Sequence, residues 1–548
     1  MKKSTLLLLS FVFISFNISA QKGKNSQKST PGKPKLVVGI VVDQMKYDYL
    51  NRFGDRFGKG GFNRLRNEGI NCTQGYYSYG PTVTAAGHAS VYTGTVPAIH
   101  GIVGNEWIEV NTGHEMYCVE DSTVLGVGAK EKDGQMSPRN LWTSTITDQL
   151  KLSQDFKSKT IAMSIKDRGA VLPGGHSANA AYWYNSSIGG WISSTYYMEE
   201  LPKWVQDLNE SKPTEKYLKG PWETLYPIET YHAGVPDEND YENWISGNKE
   251  SGFPHELTAG GRKENTILTS PFGNSILKDF ALEALKKEQL GKGNTTDFLA
   301  ISFSSTDYVG HSFGPHSIEI EDVYLRLDRD IEDLLNALDA EIGQGNYLVF
   351  LSADHAVADV PGYLNHFKLP GGIFSTGEAR KAIEARLKKK YGDIQLIEGM
   401  ENSQIYLNQE NIRNSQIDKE EIFEEIYEEL RRMEGFSRLI NLSEIGEENL
   451  PAKLQEKIKN GYHPLRSGDF MILLKSQWFS GGKKGTTHGS IYEYDSHVPI
   501  LFYGWKLPAK NYLDLVNIQD IAASLAHWLE IDAPSGNIGK PVNISIIP

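Results

Sequence analysis

Residues 36–42 read Leu-Val-Val-Gly-Ile-Val-Val, and Asp43 follows them directly. A short apolar run of this kind is typical of a β-strand in a protein interior. In an open α/β sheet, the loops that follow strand ends are where ligands and catalytic groups collect. The stretch therefore predicts a central strand and marks Asp43 as a candidate functional residue.

Further runs of the same kind alternate with helical patterns along the chain. The other strand-like runs are residues 160–165, 298–303, 347–351, 470–474 and 499–503. The helical patterns include residues 49–68, 274–288, 320–340 and 518–529. This alternation predicts an α/β fold with a mostly parallel central sheet and helices on both of its faces.

The N-terminal sequence predicts export. A basic start at Lys2 and Lys3 is followed by the apolar residues 6–16 and by small residues up to Ala20, which is the order of a secretory signal peptide cleaved after Ala20. The alternative, a membrane anchor, is disfavoured because the run is shorter than the ~20 apolar residues of a spanning helix. Residues 21–34 are polar and lack periodicity, so we expect a disordered leader. The mature protein is expected to be periplasmic or secreted, with no membrane span after signal cleavage.

The remaining residues, 35–548, exceed the usual span of one compact core, so either two domains or one large sheet with insertions is expected. We favour a single α/β domain with insertions at about 180–264 and 362–460. The first insertion is rich in Trp, Tyr, Asn, Gly and Pro, and it either caps or borders the functional site or is an ordinary surface excursion. The second carries charged helical patterns at 375–391 and 418–432, which are typical of solvated helix faces.

The charge balance limits the classes of partner. The chain has 69 acidic and 56 basic residues and a formal net charge of −13, which becomes −15 when Lys2 and Lys3 leave with the signal peptide. Proteins that bind nucleic acid polymers present a basic face, so this class is disfavoured. If the substrate is an anion, positive charge must be supplied locally at the site.

The chain has two cysteines, Cys72 and Cys118. Disulfides persist in the oxidising compartments to which a signal peptide leads. One hypothesis is therefore a disulfide between these residues, and the other is a pair of buried free thiols.

Six candidate metal ligands lie in four separated places. They are Asp43, the pair Asp307 and His311, the adjacent pair Asp354 and His355, and His488. Three carboxylates and three imidazoles are enough to hold two divalent ions with positions left open for substrate. For Asp354 and His355 the alternative is a helix cap beside a packed histidine. The residue types alone allow zinc, manganese or iron.

A candidate nucleophile lies in residues 79–90, Tyr-Gly-Pro-Thr-Val-Thr-Ala-Ala-Gly-His-Ala-Ser. Thr84 comes just before an Ala- and Gly-rich stretch that can begin a helix. The N-terminus of that helix would direct backbone N–H groups at an anion. Thr82, Ser90 and Thr93 are competing hydroxyls that composition does not exclude.

Seven ordered blocks of the sequence resemble the alkaline phosphatase superfamily, and together they cover essentially the whole mature chain. The blocks are Val-Val-Asp43-Gln, Pro-Thr-Val-Thr84-Ala-Ala-Gly-His, Tyr-Thr-Gly-Thr-Val-Pro-Ala-Ile-His-Gly-Ile-Val-Gly-Asn105, Asp307-x-x-x-His311, Ser-Ala-Asp354-His355, Thr-His488-Gly and Tyr-Asp-Ser-His-Val-Pro-Ile-Leu-Phe-Tyr-Gly. The chain is most similar to the exported bacterial alkaline phosphatases with a threonine nucleophile. An alkaline phosphatase-like fold is therefore expected.

The resemblance implies a site with two zinc ions. One zinc would take Asp307, His311 and His488, and the other would take Asp43, Asp354, His355 and the oxygen of Thr84. Thr84 would attack phosphorus in line and form a phosphothreonine, which water then opens. Asn105 matches a position that contacts a phosphate oxygen, but diesterase relatives share such an Asn.

Lys166 and Arg168 carry the expectation of monoester specificity. In Ser-Ile-Lys-Asp-Arg-Gly they lie two apart at the end of a predicted strand, where their side chains would point to the same side. In the monoesterase branch, a Lys and an Arg at the matching place bind the extra charged oxygens of a monoester dianion. The alternative for any Lys-x-Arg pair is a solvated edge.

The leading hypothesis is thus an exported alkaline phosphatase that acts on small phosphate monoesters, as a monomer. A phosphodiesterase or nucleotide pyrophosphatase on the same scaffold is the first rival, and an inactive exported metal-binding protein is the second. A sulfatase is disfavoured because those relatives need a modified Cys or Ser where this chain has Thr84, and a phosphoglycerate mutase conflicts with export. The histidines outside the ligand set are expected to have packing or supporting roles: His88, His100, His316 and His497.

Overall fold

The apolar run at residues 36–42 forms a strand in the middle of a large sheet. The computed structural model describes residues 32–232, 234–261 and 263–545, so the expected signal peptide at 1–20 and most of the leader at 21–34 lie outside the described residues. The strands are β1 (Leu36–Val42), β2 (Ile70–Tyr76), β3 (Glu106–Ile108), β4 (Glu115–Tyr117), β5 (Gly126–Val127), β6 (Thr160–Ser164), β7 (Ala180–Asn185), β8 (Gly190–Ser194), β9 (Asp297–Phe303), β10 (Tyr347–Ser352), β11 (Gly372–Ile373), β12 (Ile397–Glu401), β13 (Gln404–Leu407), β14 (Phe436–Asn441), β15 (Phe470–Leu474), β16 (Trp478–Phe479), β17 (Ile500–Gly504) and β18 (Lys510–Asn517).

Helices of very different length connect these strands. They are α1 (Tyr49–Arg52), α2 (Phe62–Glu68), α3 (Thr84–Thr93), α4 (Pro97–His100), α5 (Ile146–Leu152), α6 (Asp167–Gly174), α7 (Lys203–Glu210), α8 (Lys263–Thr266), α9 (Phe272–Lys287), α10 (Ser305–Phe313), α11 (Ile318–Glu341), α12 (Pro361–His366), α13 (Thr376–Tyr391), α14 (Gln409–Ser415), α15 (Lys419–Leu430), α16 (Ala452–Gly461), α17 (Glu493–Ser496) and α18 (Asp520–Leu529). None of the helices in the described ranges is both long enough and apolar enough to cross a bilayer.

The main sheet has the strand order β18-β2-β17-β10-β1-β9-β6-β7-β8-β5. Its central strands β10, β1, β9, β6 and β7 run parallel, whereas β17 and β8 are antiparallel to their neighbours. This confirms the predicted α/β fold with a mostly parallel central sheet. Because parallel strands need crossover connections, the chain returns through helices after β6 and β9.

Both faces of the central strands are covered. Every residue of β1, β9 and β10 is buried, although successive side chains point to opposite faces. Two sets of helices pack together around the sheet, one with α3 in contact with α5, α6 and α18, and one with α11 in contact with α2, α9 and α10. Strands buried on both faces explain why these runs are continuously apolar in the sequence.

Residues 49–68 differ from the single helix that their pattern predicts. The structure has two short helices here, α1 and α2, with an irregular stretch between them. That stretch contains four glycines, at positions 54, 58, 60 and 61, and glycine weakens a helix interior by roughly 1 kcal/mol relative to alanine. At Gly61 an added Cβ would lie 2.2 Å from the backbone oxygen of Asp328, so close packing against α11 favours glycine there.

The run at 470–474 is a strand, but it belongs to a second sheet. This small antiparallel sheet has the order β12-β13-β15-β14, and α13 and α15 pack against it. Its core is a separate hydrophobic cluster that includes Ile383, Leu387, Ile422 and Ile426. The apolar pattern that predicted the strand contains no information about which sheet the strand joins.

The disulfide hypothesis is wrong for this structure, in which Cys72 and Cys118 are both free and buried. Cys72 lies within β2 and pairs in register with β17 and β18, whereas Cys118 follows the small hairpin of β3 and β4. Burial raises the pKa of the Cys72 thiol to about 12, and it also raises the pKa of Cys118. Both side chains therefore remain protonated and act as small apolar groups.

Candidate active site

The first group of ligands, which we call the buried group, consists of Asp43, Asp354 and His355. Asp43 follows β1, and the other two follow β10. Because β1 and β10 are adjacent and parallel, their carboxyl ends lie side by side. All three residues are fully buried, and their candidate ligand atoms lie within 4.8 Å of one another. The sheet register itself thus assembles this group.

The second group, which we call the outer group, consists of Asp307, His311 and His488. Asp307 and His311 lie one turn apart on α10, with 3.1 Å between His311 Nε2 and Asp307 Oδ1. His488 comes from a loop, and its Nε2 lies 3.7 Å from the same oxygen. The His488 ring stacks on that of His355, with ring centroids 3.5 Å apart. The two groups are therefore direct neighbours.

Backbone carbonyls fix the orientation of all three histidines. The Nδ1 atoms of His311, His355 and His488 lie 2.8, 2.9 and 2.8 Å from the backbone oxygens of Thr486, Ala356 and Thr82. A carbonyl oxygen only accepts hydrogen bonds, so each Nδ1 carries the proton. Each Nε2 then presents its lone pair to the carboxylates, which is the arrangement of a metal-binding histidine.

The carboxylates also fit metal ions. Asp43 Oδ1 and Asp354 Oδ2 are buried and have no hydrogen-bond partner among the described residues. Burial and the neighbouring charge of Asp43 raise the pKa of Asp354 well above its usual range, because two such carboxylates repel each other away from water. Burial lowers the pKa of His355 to about 3, which keeps its ring neutral. The neutral imidazole of His355 and the unpaired buried carboxylate oxygens form a donor set suited to divalent cations.

Thr84 is the hydroxyl that the fold places against the buried group. It is the first residue of α3, is almost fully buried, and its Oγ1 lies 3.5 Å from His355 Nε2. One turn later, a Cβ on Gly87 would lie 2.2 Å from the backbone oxygen of Asp354. Glycine at position 87 therefore lets α3 pack directly against the loop that carries Asp354 and His355, which explains the small residues after Thr84.

The three competing hydroxyls are held elsewhere. Thr82 Oγ1 donates to the backbone oxygen of Ser490, and Thr93 Oγ1 donates to that of Ala89. Ser90 Oγ contacts the Tyr79 hydroxyl and His100. Among these four hydroxyls, Thr84 is the one that contacts a candidate metal ligand.

Lys166 lies between the two groups. Its Nζ donates to Asp43 Oδ2 at 2.7 Å and to Asp307 Oδ2 at 2.6 Å. Burial alone would lower the pKa of this lysine, but the carboxylates of Asp307 and Asp43 raise it above the usual value. The Lys166 side chain is buried, so the alternative of a solvated edge is wrong for it. An ammonium group at this position bridges one carboxylate of each group.

Arg168 follows Lys166 by two residues, and Asn105 is held next to Thr84 by a hydrogen bond from Ala85. Lys166 caps α6 and Arg168 lies in its first turn, so the pair begins a helix rather than ending a strand. Arg168 Nη1 donates to the Tyr117 hydroxyl at 3.1 Å, and its buried Nε has no partner among the described residues. Asn105 Oδ1 accepts from the backbone N–H of Ala85 at 2.9 Å, which leaves its Nδ2 as the donor. Asn105 thus offers an N–H donor next to Thr84, and Arg168 offers one from α6, which packs against α3.

Gln44 lies in the site but was not predicted from the sequence. Its Nε2 donates to Asp307 Oδ1 at 2.6 Å and its backbone N–H donates to Asp354 Oδ1 at 3.1 Å, so it connects the two groups. Its φ of 66° lies in the left-handed region that non-glycine residues rarely adopt. The only available signal was its place directly after Asp43.

Asp495 is a second missed residue, and it holds the two histidine loops together. Its Oδ2 accepts from the backbone N–H of Ser490 at 2.7 Å, close to His488. Its backbone oxygen accepts from the N–H of Ala356 at 2.9 Å, directly after His355. The sequence block that contains Asp495 was recognised, but the partners of Asp495 are backbone N–H groups, which leave no residue-type signature.

Residues 241–243 border the outer group. The N–H of Asn243 donates to the oxygen of Ser312 at the end of α10, and the oxygen of Tyr241 accepts from the N–H of Gly485, both at 2.9 Å. Lys484 Nζ also donates to the oxygen of Glu242 at 3.1 Å. This segment lies within the stretch 180–264 and connects the helix that carries His311 to the loop that carries His488.

The remaining candidate histidines belong to neither group. His88 lies on α3 one turn after Thr84, and its ring contacts the backbone oxygen of Thr84 and the hydroxyl of Ser302, both at 2.8 Å. The others bind groups outside the site: His100 contacts Ser90, His316 contacts Asp359, and His497 contacts the oxygen of Thr73.

Comparisons with known proteins agree with this geometry. The family model described as type I phosphodiesterase / nucleotide pyrophosphatase matches residues 37–498. A protein of Myroides odoratus named calcium-transporting ATPase is 46% identical over 551 residues, which are 99% of both chains. Alkaline phosphatase PhoV of Synechococcus elongatus is 44% identical, covering 98% of this chain and 99% of its own. Alkaline phosphatase PafA of Elizabethkingia meningoseptica is 41% identical, covering 96% of each.

The fold matches a solved structure as well. The crystal structure of wild-type alkaline phosphatase PafA superposes with a TM-score of 0.91 at 42% sequence identity, covering 94% of this chain and 99% of that chain. Similarity of this extent covers the main sheet and the candidate site together. The chain therefore belongs to the type I phosphodiesterase / nucleotide pyrophosphatase family, within the alkaline phosphatase superfamily.

Proposed function

We propose that the protein is an exported alkaline phosphatase that hydrolyses small phosphate monoesters through a phosphothreonine at Thr84, at a site holding two zinc ions. The observation that carries this proposal is the position of Thr84 Oγ1, 3.5 Å from His355 Nε2 at the junction of the two groups. Two relatives with 44% and 41% identity are named alkaline phosphatases, which supports the reaction class. Asp43, Asp354 and His355 would hold one ion, with Thr84 beside it, and Asp307, His311 and His488 would hold the other.

Each residue then has a definite task. Bound zinc lowers the pKa of a hydroxyl or water that it coordinates and stabilises negative charge on oxygen. Thr84, after loss of its proton, attacks phosphorus: the Oγ1–P bond forms and the bond from phosphorus to the ester oxygen breaks, releasing the alcohol. Water then attacks the phosphothreonine, which returns the Thr84 hydroxyl and releases inorganic phosphate. Gln44 and Asp495 keep the ligand-bearing loops in register throughout.

Specificity for monoesters rests on the cationic donors near Thr84. A monoester dianion has one more charged oxygen than a diester, so a nearby cation stabilises it more. Lys166 lies between the groups, and Arg168 has a buried Nε that is unpaired among the described residues. They supply positive charge within an otherwise acidic chain, and Asn105 Nδ2 adds a neutral N–H donor.

The test is the ratio of kcat/KM for phenyl phosphate to kcat/KM for methyl phenyl phosphate. We expect a strong monoester preference in the wild type, and a smaller preference in Arg168→Ala and in Lys166→Ala because monoester turnover falls more. An equal loss on both substrates would remove the proposed role of these residues. A diester preference in the wild type would reject the monoesterase.

A phosphodiesterase or nucleotide pyrophosphatase is the second candidate, and the description of the matching family model favours it. The same ratio decides between the two, since this candidate predicts faster turnover of the diester. An inactive exported metal-binding protein predicts no turnover of either substrate in the metal-loaded protein.

The proposal of export rests on the sequence of residues 1–20 alone. Fractionation of cells that express the full chain, followed by N-terminal sequencing of the mature protein, tests it. We expect the mature chain to begin after Ala20 and to be found in the periplasm or the medium. An intact N-terminus on a cytoplasmic protein would refute it.

A further inference from the structure

A cavity lies beside the candidate site, between the loop that carries His488 and the small antiparallel sheet. Its volume is about 270 Å³. One wall is formed by Val83 and His488, and the opposite wall includes Met400, Met471 and Phe479. The cavity is therefore enclosed jointly by the main domain core and the small sheet.

The cavity borders the candidate site through two of its lining residues, Val83 and His488. Val83 is the residue before Thr84 and caps α3, and His488 belongs to the outer group. On the opposite wall, Asn402 lies in the turn between β12 and β13, and its Nδ2 donates to the backbone oxygen of Glu106 at 2.8 Å. The cavity thus has in its lining the sequence neighbour of Thr84 and a residue, Asn402, that is hydrogen-bonded to the sequence neighbour of Asn105.

We propose that this cavity binds the organic group of the phosphate ester, and that it favours a single aromatic ring or a short apolar group. The proposal rests on the function proposed above. In an in-line displacement the leaving oxygen departs on the side of phosphorus opposite the nucleophile. With Thr84 beside the buried group, that side faces the outer group, where His488 forms part of the cavity wall.

The chemistry of the lining determines the kind of group that fits. Met400, Met471 and Leu473 of the small sheet, together with Phe479 of β16, provide apolar and polarisable contacts. The described lining includes the acidic residues Glu401 and Asp495 but no Lys or Arg, so a second phosphate would find no cation there. The volume is also slightly below the roughly 300–1,000 Å³ of pockets for drug-sized ligands. A nucleoside polyphosphate is therefore disfavoured, and a neutral ring is favoured.

The test changes the width of the cavity at Met400, which is half-buried and lies away from the metal ligands. Met400→Trp should narrow it, lowering kcat/KM for phenyl phosphate by about tenfold, since small changes of volume in an apolar pocket discriminate by that order. For methyl phosphate, kcat/KM should stay within about twofold of wild type, because the methyl group does not reach the wall. Met400→Ala should widen the cavity and raise the ratio of kcat/KM for 1-naphthyl phosphate to kcat/KM for phenyl phosphate.

The matched control is Met433→Trp, because Met433 packs against the same small core but does not line the cavity. Met433→Trp should leave the ratios of kcat/KM between these substrates at their wild-type values. If Met400→Trp changes kcat/KM for phenyl phosphate and for methyl phosphate by the same factor, as Met433→Trp would, the cavity does not bind the organic group and the proposal is rejected.

Calorimetric binding of phenylphosphonate and methylphosphonate separates this proposal from the proposed function. These anions are not hydrolysed by this route, so their affinities report on the cavity even if the protein turns over neither ester. We expect tighter binding of phenylphosphonate in the wild type and loss of that preference in Met400→Trp. Absence of any aryl preference in the wild type would overturn the proposal, whereas absence of turnover together with an aryl preference would count against the phosphatase alone.

Discussion

The buried group and the outer group contain similar residue types, but the fold builds them in different ways. The side chains of Asp43, Asp354 and His355 have no solvent exposure, and two adjacent parallel strands place them. In the outer group the His311 side chain is 35% exposed, and His488 arrives from a loop. The sheet holds one group rigidly, whereas the other depends on a helix turn, a loop and the 241–243 segment.

This difference predicts unequal metal binding. A group fixed by the central sheet is preorganised, so its ligands need little ordering when an ion binds. The outer group must keep α10 and the His488 loop together through backbone hydrogen bonds at Tyr241, Asn243 and Thr486. We therefore expect the buried ion to exchange slowly and the outer ion to be the first released.

The largest effect is expected for Asp354→Ala. It removes a candidate ligand from the buried group and leaves Asp43 as the one carboxylate of that group, beside His355. We expect loss of one metal equivalent, a fall in kcat/KM of at least roughly a thousandfold, and loss of metal-dependent stabilisation that amounts to about 2.7 kcal/mol at a metal concentration of 100 Kd. Elemental analysis and melting curves with and without chelator measure this. Full metal content in Asp354→Ala would contradict the assignment.

Thr84→Ala separates catalysis from metal binding in the buried group. The side chains of Asp43, Asp354 and His355 remain in this variant, so we expect both metal equivalents to be retained. Turnover should fall by about a thousandfold or more, because the nucleophile is lost while positioning remains. Metal analysis and steady-state kinetics on the same preparation measure the retained metal and the lost turnover. Wild-type activity in this variant would show that another group attacks phosphorus.

His311→Ala acts on the outer group alone. We expect loss of the outer ion with retention of the buried ion, and a fall in kcat/KM of about a hundredfold or more, as for removal of one electrostatic stabiliser. His316→Ala is the matched control, since His316 lies nearby and contacts Asp359 but no candidate ligand. Retention of both ions in His311→Ala, or loss of one in His316→Ala, would undermine the division into two groups.

Acid should release the two ions in order, and this is the smallest predicted effect. Although burial lowers the pKa of His311, Asp307 raises it above the usual 6.5, whereas burial lowers the pKa of His355 to about 3. A protonated imidazole does not bind metal, so as the pH falls from about 8 to 5 protons compete at the partly exposed His311. In the buried group the competing proton would go to Asp354, whose pKa is also raised but whose side chain has no solvent exposure. Metal content after dialysis across this range should therefore drop by the outer equivalent first. Simultaneous loss of both ions would contradict the unequal burial.

Much of the fold and of the ligand set could be predicted from the sequence. Runs such as residues 36–42 are apolar throughout because central parallel strands are buried on both faces, and Asp43 and Asp354 stand out as the polar residues that follow such runs. The His residues of the two groups were matched through ordered blocks, and the structure brings the six candidate ligands together in two groups. These features are local in sequence or tied to a strand end.

The parts that could not be predicted depend on long-range geometry. Gln44 joins both groups only because its backbone adopts a φ of 66° and α10 folds back over it. Lys166 was expected beside Arg168, but its ammonium reaches the carboxylates of Asp43 and Asp307 instead. Neither periodicity nor residue type encodes these contacts, just as the apolar run of β15 does not reveal its sheet.

The most direct test of the central claim is to find the phosphorylated residue. The metal-loaded protein is incubated with phenyl phosphate, quenched rapidly in acid and digested, and the peptides are sequenced by mass spectrometry. We predict a phosphate on Thr84 in the wild type and none on the corresponding peptide of Thr84→Ala. Phosphate on Thr82, Ser90 or Thr93, or wild-type turnover in Thr84→Ala, would contradict the account.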